Sequence, residues 1–419
     1  MNKYALSNLL WSVAGLTLIT LASLYLFKNA LLFDSWHNND ELAHTDYVFK
    51  LAHHGRLPYS SELVDRELVE FSSRKFGYPA PEKLSLTDFG IGLQAYSYEA
   101  LQPPTYYVVL AIPEAVLSHL GIPMEVRLRA LRICSVILVI LGWAIFYEAC
   151  LPVVRQGLVS SGYRWFATGA LALFSAGDHY HISNDQAGLL FGSLTTKLLF
   201  QLGRNPSPQG VYRTLGAIMG GVAVKLSNAL WLLPWAALTC QLLYTGRLSL
   251  KRLRVSWFLV ACLPLIMVVP VVVSSGGLSS DSLSETARMF SVISPGLFES
   301  GFFVEAFYYK AFSLQVLGIL PGLDYPEVLI FISVLCALLW IYLVPVLPVM
   351  WYSLYWLVAL WPTLLLVAGF LNRHVGSVFW FEFRIFTAYY PVLILFHFFP
   401  WAFWRAFGRL YVHPQNTIP

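Results

Sequence analysis

Apolar runs of about 20 residues, long enough to cross roughly 30 Å of hydrocarbon, recur along almost the whole chain. Clear runs cover 8–32, 128–150, 256–275, 327–346, 349–371 and 385–404. Shorter ones, or runs broken by Gly and Pro, cover 103–121, 164–176, 186–203, 212–227 and 228–244. The pattern predicts an all-α polytopic membrane protein: one domain over 1–419, a bundle of about 10–12 transmembrane helices. The alternating ten-residue strands of an outer-membrane barrel are absent. Two polar stretches interrupt the runs, at 34–102 and 276–326, and both read as large external loops.

The first loop has its own pattern. Residues 40–53 predict an amphipathic helix lying on the outer surface, with Leu42, Val48, Phe49 and Leu51 set against Asp40, His44 and Asp46. Asn38 followed three residues later by Glu41 makes a capping-box start. A second short helix is expected around 61–74, capped by Ser60 or Ser61 and broken by the stretch Gly77 to Pro81.

Composition strengthens the membrane reading. Hydrophobic residues make up 57% of the chain and charged ones only 12%, too few to solvate a water-soluble surface. The 14 Trp suit interfacial belts. The first run is too long for a signal-peptide core, so it is expected to stay as a helix. All five cysteines fall in or beside apolar runs, which makes them packing residues rather than disulfide partners or metal ligands.

Charge supplies an orientation. The 34–102 stretch holds eleven acids against six bases, whereas the densest basic loop is Arg247, Lys251, Arg252 and Arg254. Positive residues mark the cytoplasmic side, so the acidic loop belongs outside. Counting spans back from the basic loop gives the wrong parity, which predicts that one segment between 103 and 164 does not cross fully. Bases scattered over short loops give no support to nucleic-acid binding.

Four constellations can carry chemistry. Asp40, Glu41 and His44 gather two carboxylates and an imidazole at one helix start; such a carboxylate can act as a general base or merely serve as a helix cap. Glu99 and Gln102 stand before the paired prolines Pro103 and Pro104, which fix the entry into the next helix, where Tyr106 and Tyr107 follow. Ser183, Asn184 and Asp185 form either a plain cap or a second acidic cluster at a membrane surface. Lys225 and Arg384 are cations embedded in apolar sequence, costly unless paired, snorkelling or lining a wet cavity. Arg129 and Arg132 are weaker candidates of the same kind.

Taken in order, these features resemble the GT-C glycosyltransferase fold, in particular the protein O-mannosyltransferase and aminoarabinose-transferase branch. The matching residues are Asp40 and Glu41, the stretch Pro103 to Tyr107, and Asp185, with looser likeness around Lys225 and Arg384. The resemblance implies a polyprenyl-phosphate-linked sugar donor and a glycan, lipid or protein acceptor. It further implies catalysis by Asp40 and Glu41, and substrate binding by His44, Glu99, Gln102, Tyr106, Asp185, Lys225 and Arg384. Two positions depart from the family pattern: Ala43 stands where Arg is usual, and Gln102 where Lys is common, both residues thought to hold the carrier phosphate. No cofactor is certain; Glu41, Asp185 or Glu99 can hold a divalent metal, and such families differ in metal use. The expected setting is the bacterial inner membrane, with membrane lipids around the chain and the active site on the external side. The competing expectation is a transporter or flippase for a lipid-linked or small polar substrate.

Overall fold

The computed structural model describes residues 3–32, 36, 40–58, 62–77, 99, 102–155, 160–177, 179–269, 356, 388–392 and 394–395. Apart from Trp356, the expected spans 327–346 and 349–371, the loop 276–326 and Arg384 lie outside the described residues. Among those described, regular structure is helical throughout, with no strand.

Helix α1 (Lys3–Leu32) is apolar around its whole circumference. Leu9, Leu10, Val13, Leu16, Leu24 and Leu31 are exposed, while Ala22, Leu26 and Ala30 form a buried stripe at four-residue spacing. A helix with leucine on its outer face suits lipid rather than water. In the first loop follow α2 (Asp40–His54) and α3 (Arg66–Phe76). Asp65 caps α3 by accepting from the Glu67 amide at 2.9 Å, and Gly77 ends it at φ 72°. The chain continues through α4 (Thr105–His119), α5 (Met124–Ala149), the short α6 (Leu151–Arg155), α7 (Ser161–Ala176), α8 (Asp185–Arg204) and α9 (Pro208–Val222). A 3-10 turn at Leu226–Trp231 runs into α10 (Leu232–Tyr244), and α11 (Val255–Cys262) leads into a last 3-10 turn at Leu263–Val268.

Three of these helical stretches are long and apolar enough to cross a membrane: Ala5–Leu32, Met124–Ala149 and Leu226–Tyr244. Between 103 and 164, α5 has that length, whereas the 15 residues of α4 reach only about 22 Å at 1.5 Å per residue.

Close packing of α1 along α7 organises one part of the fold. It depends on glycine. A Cβ at Gly15 would fall 2.2 Å from the Trp165 carbonyl carbon, and one at Gly162 would fall 2.2 Å from the Asn8 carbonyl oxygen. Gly169 in turn meets the backbone of Gly15. Hydrocarbon gives no hydrophobic drive between helices, so close backbone approach through small residues supplies the attraction. Elsewhere α5 packs along α8, and α8 along α9.

The expected surface helix forms at Asp40–His54, but every residue from Glu41 to Lys50 is buried. It packs on α4, with Tyr47 stacked on Tyr107 at 4.0 Å between ring centroids. Its polar positions face partners inside the protein instead of water. The Asp46 carboxylate accepts from the Asp65 amide at 2.7 Å and lies 3.0 Å from Lys50, whose ammonium donates to the Leu63 carbonyl. The second loop helix starts later than its sequence suggests, at Arg66, because Asp65 and not Ser60 or Ser61 supplies the cap.

The glycine contacts predict a measurable result. Gly15→Leu or Gly162→Leu should cost about 1–3 kcal/mol, the usual range for overpacking. It would appear as a lower thermal midpoint of the full chain in detergent micelles. Leu10→Ala, on the exposed flank of α1, should leave that midpoint unchanged.

Candidate functional site

Two sequence-distant segments close over one another at the start of α2. Glu41 is fully buried and held by a fork from Arg132 on α5: Nε to Oε1 at 2.7 Å and Nη2 to Oε2 at 2.5 Å. The same Oε1 accepts from the backbone N–H of Ile182 at 3.0 Å. One carboxylate thus ties together the first loop, α5 and the turn before α8. The paired N–H geometry of guanidinium is what a buried carboxylate requires. Asn38, the other half of the expected capping box, lies outside the described residues.

The turn at 179–184 is covered by this arrangement and does not lie at a surface: His181, Ile182, Ser183 and Asn184 are all buried. Tyr106, one residue into α4, fixes its conformation. The Ser183 amide donates to the Tyr106 hydroxyl at 3.0 Å, and that hydroxyl is 2.8 Å from Ser135 Oγ. Ser135 already donates to the Leu131 carbonyl, so the Tyr106 proton goes to Ser135. Asn184 occupies the N-cap position of α8, but its side chain makes no capping bond; it donates to Gln102 Oε1 at 3.2 Å and to the Val224 carbonyl at 3.3 Å.

Gln102 is the hinge between loop and helix. Its carbonyl accepts from the Tyr47 hydroxyl at 3.2 Å, and its amide donates to the Glu99 carbonyl at 2.9 Å. The helix begins right after Pro104, as paired prolines dictate. This turn brings Glu99 to 3.8 Å from His44 Nδ1, and the same nitrogen shares a 2.8 Å hydrogen bond with the Tyr107 hydroxyl. Glu99 Oε2 has no hydrogen-bond partner among the described residues. Burial is the main reason that its carboxyl pKa is pushed up to about 8; the nearby Asp185 adds to this and Lys225 opposes it. Burial likewise lowers the His44 pKa to about 3. At neutral pH the two side chains face each other as a carboxylic acid and a neutral imidazole, and burial opposes the carboxylate–imidazolium pair that a proton transfer between them would create.

Lys225 ends the segment after α9, and its ammonium pairs with Asp185, both side chains being buried. Asp185 also accepts from Ser183 Oγ at 3.1 Å. The embedded cation is thus satisfied by a carboxylate, without snorkelling. A companion network stands behind α2: Arg127 on α5 pairs with the fully buried Glu114 and with Glu67 on α3, and His53 lies 3.1 Å from Glu114.

Of the nine residues expected to form the site, seven come together: Glu41, His44, Glu99, Gln102, Tyr106, Asp185 and Lys225. Asp40 starts α2 but its side chain lies outside the described residues, as does Arg384 altogether. Sequence reasoning gave Arg132 too little weight, named Tyr107 without assigning it a role, and missed Tyr47. The signal for Arg132 was a carboxylate at an apolar junction needing a countercharge. Among the described residues no group of three or more His, Cys, Asp or Glu is set to hold a metal. Glu41 and Asp185 are engaged by cations instead. No family model, curated protein or solved structure matches the chain.

Removing one side of the Glu41–Arg132 pair should be severe. Glu41→Gln or Arg132→Met should each cost about 3–5 kcal/mol, read from thermal or denaturant unfolding in micelles. The double variant should recover much of that loss, because no charge is then left buried and alone.

The Glu99–His44 pair sets a pH dependence of stability. Folded Glu99 holds its proton up to about 8, against an ordinary value of 4.5, so its contribution falls as pH rises from 4.5 through 8. Folded His44 stays neutral down to about 3, against 6.5, so its contribution falls as pH drops below 6.5. The two slopes oppose each other between 4.5 and 6.5. Between 6.5 and 8 only the Glu99 decline remains, so Glu99→Gln should flatten the unfolding midpoint across that window. A decline that persists in Glu99→Gln would refute the assignment.

Proposed function

We propose that this chain is a membrane glycosyltransferase that moves a sugar from a polyprenyl-phosphate donor to an acceptor hydroxyl at the external face of the bilayer. In this reading the chain is a multi-pass bundle of the GT-C kind in the bacterial inner membrane. Acceptors are a glycan, a lipid or a protein. A single observation supports it above the others: the start of α2, the Gln102–Pro104 junction and the Asp185–Lys225 pair converge, although they lie in separate parts of the sequence. Those are the three places at which the family resemblance puts its acids and its junction.

Chemically, the reaction is one displacement with inversion. The Asp40 carboxylate takes the proton of the acceptor hydroxyl while its oxygen attacks the anomeric carbon, and the bond to the carrier phosphate breaks. The departing phosphate carries negative charge and needs a cation. Lys225 can divide its three N–H donors between Asp185 and a phosphate oxygen, and Arg384 is proposed as the second cation. Glu99, kept protonated by burial, lends a hydrogen-bond donor rather than a repelling charge beside that phosphate.

Transfer of labelled sugar from a polyprenyl-phosphate donor, measured on the purified full chain, tests the proposal. Asp40→Asn should abolish transfer and leave donor binding nearly intact. Lys225→Met should weaken donor binding and transfer together. Arg384→Lys should keep the charge yet lose most of the rate, because a point charge does not reproduce a bidentate fork. Transport of the lipid-linked donor across vesicles without any transfer would overturn the enzymatic reading.

A further inference from the structure

From residue 186 to residue 269 the chain contains no Asp or Glu, yet it carries Lys197, Arg204, Arg213, Lys225, Arg247, Lys251, Arg252 and Arg254. Lys225 is neutralised by Asp185 at the start of α8. Six others, Arg204, Arg213, Arg247, Lys251, Arg252 and Arg254, are exposed, and none forms an ion pair among the described residues.

The fold collects them at one end. Arg247 donates to the Arg204 carbonyl at 3.4 Å, which joins the turn after α10 to the end of α8. The Arg254 amide donates to the Tyr212 hydroxyl, next to Arg213 on α9. Tyr212 also stacks on Trp257 and meets Phe258 edge-on. Around the cations stand exposed Tyr244, Leu250, Val255 and Trp257. Cations beside exposed aromatic and aliphatic side chains make a surface with both a charged and an apolar requirement.

Its position adds the decisive constraint. Asp185 opens α8 and Arg204 closes it, and these 20 residues span roughly 30 Å, the thickness of the hydrocarbon layer. The basic end therefore lies one bilayer thickness from the Asp185–Lys225 end.

We propose that these six cations form a docking face for the anionic phospholipid headgroups of the leaflet opposite the Asp185–Lys225 site. The phosphodiesters neutralise the arginines and lysines, while Tyr244, Leu250 and Trp257 enter the headgroup–acyl boundary. This surface serves no step of the proposed sugar transfer, so it stands or falls independently of that reading. It fixes the depth of α8 and the sidedness of the bundle together.

The test titrates the full chain, purified in neutral detergent, with short-chain phosphatidylglycerol or phosphatidylcholine, binding being read by native mass spectrometry. Phosphatidylglycerol should bind in preference, and high salt should weaken it. The variant R247Q/K251Q/R252Q/R254Q should lose at least about 100-fold in phosphatidylglycerol affinity, since each surface cation contributes roughly fivefold. The version K251R with R247K, R252K and R254K keeps all four charges and should retain most of the affinity. The single exposed change R252E, checked for an unchanged thermal midpoint, covers the case in which the fourfold variant misfolds; it too should weaken binding. Equal binding of both lipids, or no effect of either neutralising variant, overturns the proposal. Competition by glycerol phosphate as strong as by the lipid would assign the face to a free phosphate and overturn it. Binding of polyglutamate without lipid preference would assign it to an acidic protein and overturn it as well.

Discussion

Everything near the site depends on the Glu41 carboxylate being held by Arg132. A buried carboxylate without a partner is among the costliest groups a fold can contain, so this pairing decides where α2 lies. With Glu41 docked on α5, the next residues of α2 come down on α4, and the turn at 179–184 is trapped beneath them. Ile182 completes the arrangement by giving its amide to the same carboxylate.

The legible parts of the sequence are those written in local terms. Apolar runs mark α1, α5 and the stretch 226–244, because length and hydropathy are properties of a single segment. Paired prolines mark the start of α4, and Asn184–Asp185 marks the start of α8. Residues 40–54 are legible as a helix, but not as a buried one. Polar residues on a short helix suggest water on that face, whereas here Glu41, His44, Asp46 and Lys50 are buried and find their partners inside. Those partners lie far away in sequence: Arg132 is 91 positions from Glu41, Ile182 is 141, and Tyr107 is 63 from His44. Nothing in one chain's spacing announces such pairings. The acids at 40, 41 and 185 point to a common site only through the family resemblance.

The electrostatics of the cluster follow from burial more than from proximity. Glu99 and His44 face each other at 3.8 Å, a separation at which an exposed pair would ionise and attract. Desolvation drives the carboxyl upward and the imidazole downward until both prefer to be neutral. Asp185 and Lys225, by contrast, each have the other as partner, so charge remains where it can be matched. Neutral groups and matched ions therefore alternate across a few ångströms.

That matching has a consequence for a protein in an energised membrane. A transmembrane voltage does work on net charge, about 2.3 kcal/mol for each unpaired elementary charge carried across 100 mV. Glu41 with Arg132 and Asp185 with Lys225 each bring one charge of either sign to nearly one depth. The field can only tilt their short dipoles, and cannot pull either member towards one face. Among the described residues, these two buried pairs are therefore held chemically, and a voltage across a membrane does little net work on either of them.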